Sequence, residues 1–267
     1  MSLLDLGPVP LALVGTMFAF GCTTAGSAMV FFFRKKTNPN IQRAFLGFAG
    51  GVMVAASIWS LIMPAVEMAE EQQMIGWVPA AGGFVIGALF LLLLDHLIPH
   101  LHLGAKKAEG LPSHSKRTTL LVFAVTLHNI PEGLAVGLAC GLAALEGTPA
   151  MYAAALTLAL GMGIQNFPEG AAISLPLRQE GMPSSKAFLY GSLSGIVEPI
   201  AGVIGALLIT SLPSAMPWLL AFAAGAMIYV VVEELIPEAN TGEHSNVGTL
   251  GFIAGFVIMM ILDIALG

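Results

Sequence analysis

Residues 78–94 of the chain read VPAAGGFVIGALFLLLL, an apolar run without a charged side chain. A helix that crosses a bilayer needs about 20 apolar residues, and this run supplies most of them. Outward-facing strands of a membrane barrel would alternate apolar and polar residues, which Phe90–Leu94 do not. The whole chain of 267 residues has an apolar composition, with 57% hydrophobic and only 10% charged residues. Soluble domains carry about 25% charged residues. The sequence therefore predicts an all-α polytopic membrane protein.

Eight stretches are long and apolar enough to cross a membrane, and we expect residues 1–267 to form one transmembrane domain. Met1–Pro10 contains no Lys or Arg, so the first stretch is expected to be retained rather than cleaved as a signal peptide. The stretches, called spans 1 to 8, are 8–33, 44–64, 78–98, 119–144, 150–177, 187–211, 216–236 and 247–266.

Charge and cysteine content exclude several classes of protein. The net charge is −6, whereas a nucleic-acid-binding domain needs a basic face. Cys22 and Cys140 both lie in apolar runs, so neither a disulfide framework nor a cysteine-based zinc site is expected. The lipid bilayer is therefore an expected partner, and nucleic acid is not.

Basic residues predict the orientation in a cell (inner or plasma) membrane. Cytoplasmic loops carry an excess of Lys and Arg. The loops at 65–77, 146–149 and 212–215 contain neither residue. Both termini are therefore predicted to lie outside the cytoplasm. All ten Lys and Arg lie in alternate loops, namely Arg34, Lys35, Lys36 and Arg43, then Lys106, Lys107, Lys116 and Arg117, then Arg178 and Lys186.

Weak internal repetition relates spans 1–3 to spans 6–8. Phe48–Met53 in span 2 resembles Phe222–Met227 in span 7, and Gly83–Ile86 in span 3 matches Gly255–Ile258 in span 8. Under the predicted orientation the two sets begin on opposite sides of the membrane. This is the pattern of an inverted repeat, which is common in secondary transporters.

The strongest functional signal is a motif that occurs once in span 4 and again in span 5. Residues 128–133 read HNIPEG and residues 165–170 read QNFPEG, 37 positions further on. No Lys or Arg lies between Thr118 and Leu177 to neutralise the two glutamates. A charge at the bilayer centre costs about 2.5–3.5 kcal/mol. The glutamates are therefore expected to be protonated, hydrated in a cavity, or bound to cations.

Helical spacing favours bound cations. Residues i and i+4 share a helix face, and Pro131 and Pro168 each free a carbonyl oxygen four residues earlier. Imidazole with carboxylate and amide oxygens suits Zn²⁺, with Fe²⁺, Mn²⁺ or Cd²⁺ as alternatives, and no organic cofactor is expected. The side chains grouped in this way are His128, Asn129 and Glu132 in span 4 and Gln165, Asn166 and Glu169 in span 5.

Span 6 adds a third carboxylate, Glu198, which precedes Pro199 and has no basic neighbour inside the membrane. Three buried carboxylates can share two divalent ions, with Glu132 and Glu169 as bridges. The alternative is a pair of Pro-kinked helices whose protonated glutamates bond to amides. Repetition of the motif together with Glu198 favours the metal site.

HNIPEG and the longer QNFPEGAAISLPL of span 5 resemble the signature of the ZIP (Zrt/Irt-like) family of divalent metal transporters, in its bacterial, GufA-like branch. The resemblance covers essentially the whole chain and implies a binuclear site. Many ZIP proteins carry a second His where Gln165 stands, so the metal preference stays open. The implied ligands are His128, Glu132, Gln165 and Glu169 for one ion, and Asn129, Glu132, Asn166, Glu169 and Glu198 for the other.

The same resemblance implies import of Zn²⁺ or a similar ion into the cytoplasm by alternating access, in which the repeats shift around spans 4 and 5. It also implies a homodimer and an exit site at the inner surface, formed by Asp95, His100 and Glu234. A solvated loop with helix-end charges is the alternative for these three residues. Glu67, Glu70 and Glu71 on the outer side could concentrate cations, whereas Asp263 and His244 receive no role.

An intramembrane metalloenzyme and a metal sensor are the alternative functions. A zinc protease needs His-Glu-x-x-His on a helix, and a carboxylate di-iron enzyme needs Glu-x-x-His twice. Neither is present, because His128 precedes Glu132 by four positions. A sensor would need an effector domain outside the membrane. A transporter, not an enzyme, is therefore the prediction.

Overall fold

A computed structural model describes residues 3–33, 38–97, 117–179, 181–241 and 245–266, with the side chains of 117–124 outside the description. Every regular element in these ranges is a helix. Seven stretches are long and apolar enough to cross a membrane, and the eighth helix, Arg117–Glu146, has 30 residues. The prediction of an all-α polytopic membrane protein is confirmed.

The spans are defined from here on by the structure, and their limits agree with the sequence estimates to within three residues except in span 2. They are Pro8–Phe31, Pro39–Glu71, Trp77–Leu97, Arg117–Glu146, Pro149–Gln179, Ser184–Ser211, Pro213–Ala239 and Val247–Leu266. Spans 4 and 5 continue as helices through Pro131 and through Pro168 and Pro176.

Span 2 is longer than the sequence suggested. Residues 65–71, expected to be loop, form the α-helix Met63–Glu71, which buries Ala65 and Ala69. Pro64 is the second residue of this helix, which continues directly from the π-helical segment Ser57–Ile62. The loop prediction was wrong because it relied on the polar composition of this stretch. Its glutamates, Glu67, Glu70 and Glu71, have a high helix propensity.

Span 6 is interrupted, although the sequence suggested a continuous helix. It consists of Ser184–Ser194 and Val197–Ser211, and the first part ends at Gly195. Glu198 lies in the first turn of the second part. The interruption thus places the third carboxylate at a helix start within the membrane.

The helices pack as two groups, and glycine allows backbones to touch in each. In the first group, Gly133 of span 4 contacts the backbone of Glu198 in span 6, and Gly170 of span 5 contacts that of Thr23 in span 1. In the second group, Gly51 of span 2 contacts the span 8 backbone, and Gly87 of span 3 contacts that of span 7. Small residues permit such close helix contacts in membranes. Spans 1, 4, 5 and 6 therefore form one bundle, and spans 2, 3, 7 and 8 the other.

A shared irregularity supports the inverted repeat. Span 2 widens into a π-helical segment at Ser57–Ile62, and span 7 does so at Val231–Leu235. These segments begin nine residues after Phe48 and nine residues after Phe222, the first residues of the repeated sequence. Prolines 64 and 237 follow them, and a proline cannot supply the N–H that closes a normal helical turn.

Candidate metal centre

The polar side chains of the two motifs lie inside the protein, where spans 4, 5 and 6 meet. Burial is nearly complete for every predicted ligand, since the exposed fraction does not exceed 7% for any of them. These residues are His128, Asn129, Glu132, Gln165, Asn166, Glu169 and Glu198. Side chains so rich in acceptors cannot remain in an apolar bundle without partners of opposite polarity.

One part of this centre is a hydrogen-bonded network around Glu198. Asn166 donates its Nδ2 hydrogen to Glu198 Oε2 at 2.8 Å, and Thr23 Oγ1 lies 3.3 Å from Glu198 Oε1. The Nε2 amide of Gln165 donates to Asn166 Oδ1 at 2.6 Å. Asn129 donates through Nδ2 to the backbone carbonyl of Ser194 at 3.0 Å. Each oxygen of Glu198 therefore has a donor, and span 1 supplies one of the two.

The other part of the centre has acceptors without donors. Both carboxylate oxygens of Glu132 lack a hydrogen-bond donor among the described residues, although the Gln165 amide lies nearby and is turned toward Asn166. Asn129 Oδ1, Gln165 Oε1 and Glu169 Oε2 lack donors in the same way. These five atoms are the majority of the eight buried side-chain atoms without a partner in the described chain. Such clustering of bare oxygens needs a positive partner.

His128 pairs with a side chain of the bundle formed by spans 2, 3, 7 and 8. Its Nε2 lies 2.5 Å from Glu234 Oε1, which belongs to the π-helical segment of span 7. Glu234 is itself buried. A residue predicted for the exit site thus lies directly beside the mid-membrane motif and joins the two bundles at this level.

The remaining exit-site residues are not brought to the motif in the same way. Asp95 near the end of span 3 accepts a hydrogen bond from the Tyr229 hydroxyl at 3.2 Å. His100 lies outside the described residues, as does His244, which received no role. The structure therefore describes two of the three predicted exit residues, and it joins only Glu234 to the centre.

Within the ranges described, no three His, Cys, Asp or Glu side chains are gathered around one ion-sized point. His128 is held by Glu234, and Glu198 is held by Thr23 and Asn166. An ion that used either of these ligands would have to displace those partners. The four carboxylates of the centre, at 132, 169, 198 and 234, nevertheless outnumber its single imidazole, so the electrostatics favour a cation.

A second acidic region opens between the two bundles, beside the helix ends at Glu71 and Glu146. A cavity of about 410 Å³ is lined there by four carboxyl side chains, those of Glu67, Glu71, Glu146 and Asp263, and by no basic side chain among the described lining residues. Ser60 donates to Asp263 Oδ1 at 2.6 Å. Asp263 received no role from the sequence, although a lone acid in the last apolar span is a usable signal of function.

The cavity ends before it reaches the motif. Its inner lining includes Ala139 and Leu142 of span 4 and Leu158 of span 5. Leu158 precedes Gln165 by seven residues, which is about 10 Å along a helix. Two helical turns of apolar packing therefore separate the acidic cavity from the bare oxygens. Of the outer glutamates predicted to attract cations, Glu67 and Glu71 line the cavity and Glu70 does not.

The whole chain is similar to known zinc transporters. The family model described as "ZIP Zinc transporter" matches residues 10–118 and 102–263. A human protein named zinc transporter ZIP11 is 40% identical, over 96% of this chain and 97% of its own length. Zinc transporter GufA of Myxococcus xanthus is 36% identical over 96% of this chain and 98% of its own length. Zinc transporter ZIPB of Bordetella bronchiseptica is 36% identical over 96% of this chain and 81% of its own.

Proposed function

This chain belongs to the ZIP family of zinc transporters, and from that premise we propose that it carries Zn²⁺ across a cell membrane into the cytoplasm. ZIP proteins are transporters, so the chain is not an enzyme. Fe²⁺, Mn²⁺ and Cd²⁺ are further candidate substrates, because amide and carboxylate oxygens do not select Zn²⁺ alone. The whole chain serves as one transporter domain in this proposal.

The single observation that carries the proposal is the set of five bare oxygens from Asn129, Glu132, Gln165 and Glu169. Each is an acceptor, and each is buried where water cannot satisfy it. A divalent cation supplies the missing positive charge and several coordination positions at once. In an apolar bundle without a basic side chain nearby, the transported ion is the partner that these residues fit.

We place two ions at this centre, with Glu132 and Glu169 shared between them. The proposed ligands of the first ion are His128, Glu132, Gln165 and Glu169, and those of the second are Asn129, Glu132, Asn166, Glu169 and Glu198. Support comes from the shared burial of all seven side chains. Filling the second position requires rotation of Asn166 away from Gln165 and Glu198.

The proposed route begins at the acidic cavity, passes through the centre, and continues at Glu234 and Asp95. His128 can leave the ion and pair with Glu234, which gives the bare ion a path toward the opposite face. The two bundles would shift against each other to open each side in turn, as inverted repeats do in other transporters. The exit role of His100 remains part of the proposal.

Orientation and assembly complete the proposal. The loop positions of Lys and Arg put both termini outside the cytoplasm. A reporter that is active only outside the cytoplasm, fused after Gly267, should be active, and a cytoplasm-dependent fluorescent reporter should stay dark. The opposite pattern would reverse the transport direction. We also propose a homodimer, which the mass of the detergent-solubilised protein would test.

Flux into liposomes that contain only the purified protein tests the function itself. Zn²⁺ should enter at a saturable rate, and Fe²⁺, Mn²⁺ and Cd²⁺ should compete for it if they share the site. Protein that carries Glu70→Gln should transport Zn²⁺ at the parent rate, because Glu70 does not line the acidic cavity. Liposomes that show no metal flux with correctly folded protein would contradict the transport proposal.

A further inference from the structure

Span 1 contributes a polar side chain to the centre, although the sequence pattern assigned it none. Thr23 is fully buried, and its Oγ1 lies 3.3 Å from Glu198 Oε1 and 3.3 Å from the carbonyl oxygen of Ala19. We propose that Thr23 is a positioning residue that orients Glu198 for the second metal ion. The inference rests on the proposed binuclear site and adds a residue outside the ligand set.

The hydroxyl has one proton and two acceptors within reach. A threonine within a helix commonly donates to the carbonyl four residues earlier, which here belongs to Ala19. A carboxylate is the stronger acceptor, because a hydrogen bond to a charged group is about twice as strong as a neutral one. The proton of Thr23 therefore favours the Glu198 carboxylate over the Ala19 carbonyl.

Two donors from different helices then fix the carboxylate. Thr23 of span 1 holds Oε1, and Asn166 of span 5 holds Oε2. When Asn166 rotates to take up the second ion, its bond to Oε2 is lost. Thr23 is then the donor that keeps Glu198 in place, while Oε2 becomes available to the metal.

Glycine at position 195 makes the contact sterically feasible. A Cβ atom built at Gly195 would lie 2.9 Å from Glu198 Oε1 and 3.2 Å from Thr23 Cβ and Cγ2. Gly195 closes the first part of span 6 with an ordinary φ of −83°, so alanine causes no backbone strain there. The space that glycine leaves is needed by the Thr23–Glu198 pair.

The chain offers a matched control in the same helix. Thr16 is also fully buried, two helical turns before Thr23, and its hydroxyl donates to the Ala12 carbonyl at 2.7 Å. Neither of its hydrogen bonds reaches a carboxylate, since the other acceptor is the Leu13 carbonyl. Thr16→Val therefore removes a buried hydroxyl from span 1 without touching Glu198.

The test is Zn²⁺ binding to the purified full-length protein in detergent, with stoichiometry from elemental analysis and stepwise affinities from calorimetry. Partners of metal ligands are typically worth about 10–100-fold in affinity. Thr23→Val should weaken the second ion by about tenfold or more and leave the first unchanged. Thr23→Ser should restore the parent affinity, Thr16→Val should match the parent, and Gly195→Ala should reproduce the Thr23→Val defect.

The outcomes separate this inference from the proposal beneath it. If the parent binds two ions and Thr23→Val binds both as tightly, Thr23 does not position Glu198. If Thr23→Val and Thr16→Val lose both ions alike, the hydroxyls act on folding, and the inference is wrong. If the parent binds only one ion at saturation, the binuclear site itself is wrong, and the role of Thr23 falls with it.

Discussion

Glu132 and Glu198 are two buried carboxylates in neighbouring helices, and their surroundings differ. Glu198 has a donor on each oxygen, from Thr23 and Asn166. Glu132 has no donor on either oxygen within the described chain. Equal burial therefore does not mean equal readiness to bind an ion. Glu198 is held by hydrogen bonds without a metal. Glu132 has two free acceptor oxygens, which is why we propose it as the main metal ligand.

The largest effect is expected from Glu132→Ala. This change removes the carboxylate that we propose both ions share, while partners outside a ligand set alone are worth about 10–100-fold. Zinc flux into liposomes should fall by at least about 100-fold. The protein should still reach the membrane, because an apolar replacement lowers the cost of insertion. Normal flux with well-folded Glu132→Ala would show that the centre is misplaced.

Glu198→Ala should do less, because Glu198 contacts only the second ion and is already hydrogen-bonded. We expect flux to drop by about tenfold and bound zinc to approach one ion per chain. Elemental analysis of the purified variant beside Glu132→Ala gives the comparison directly. If both variants lose all bound zinc, Glu198 is as essential as Glu132, and the predicted difference between the two carboxylates is wrong.

Acid should weaken binding at the whole centre. Metal ligands must be deprotonated, so protons compete with the ion for His128 and for the carboxylates. Zinc affinity should therefore fall as the pH drops through mildly acidic values. Titrations over a pH series would measure this, and a pH-independent affinity would remove His128 from the ligands.

Glu234→Leu tests the contact between the bundles. Loss of the Glu234 carboxylate frees His128 for the first ion, and hydrogen bonds to charged groups are worth about 1.5–3 kcal/mol. First-ion affinity should rise by about tenfold, while maximal flux falls because release is slower. Glu233→Leu is the control, since the neighbouring Glu233 is exposed. Unchanged affinity in Glu234→Leu would mean that Glu234 does not compete for His128.

The smallest effect belongs to the acidic cavity. Replacing Glu67 and Glu71 together with Gln lowers the negative potential that concentrates cations. KM for zinc should rise by roughly two- to threefold at low ionic strength, and the difference should vanish at about 1 M salt, where charges are screened. Kinetics at the two salt concentrations check this. A KM change that persists in high salt would indicate direct coordination instead.

Sequence reasoning predicted the spans and the seven central side chains because both depend on local pattern. Apolar length predicts the helices, and the repeated spacing around Glu132 and Glu169, with Glu198 before Pro199, predicts the polar side chains that the fold brings together. The sequence did not predict the break after Ser194 or the helix Met63–Glu71. The residue at which a helix ends depends on packing against other helices, which the local sequence does not contain. Sequence reasoning assigned nothing to Thr23 or Asp263, whose partners lie far away in sequence. The sequence does not show which distant residue a threonine hydroxyl contacts, and this contact is visible only in the folded structure.

The two π-helical segments of spans 2 and 7 occupy corresponding places in the predicted repeat. Ser60 and Glu234 are the fourth residues of Ser57–Ile62 and Val231–Leu235, so they are the same position in the two copies of the repeat. Spans 2 and 7 run in opposite directions, so Ser60 faces Asp263 in the acidic cavity and Glu234 faces His128 at the metal centre. One kind of wide helical turn therefore presents a polar side chain at two different depths of the protein.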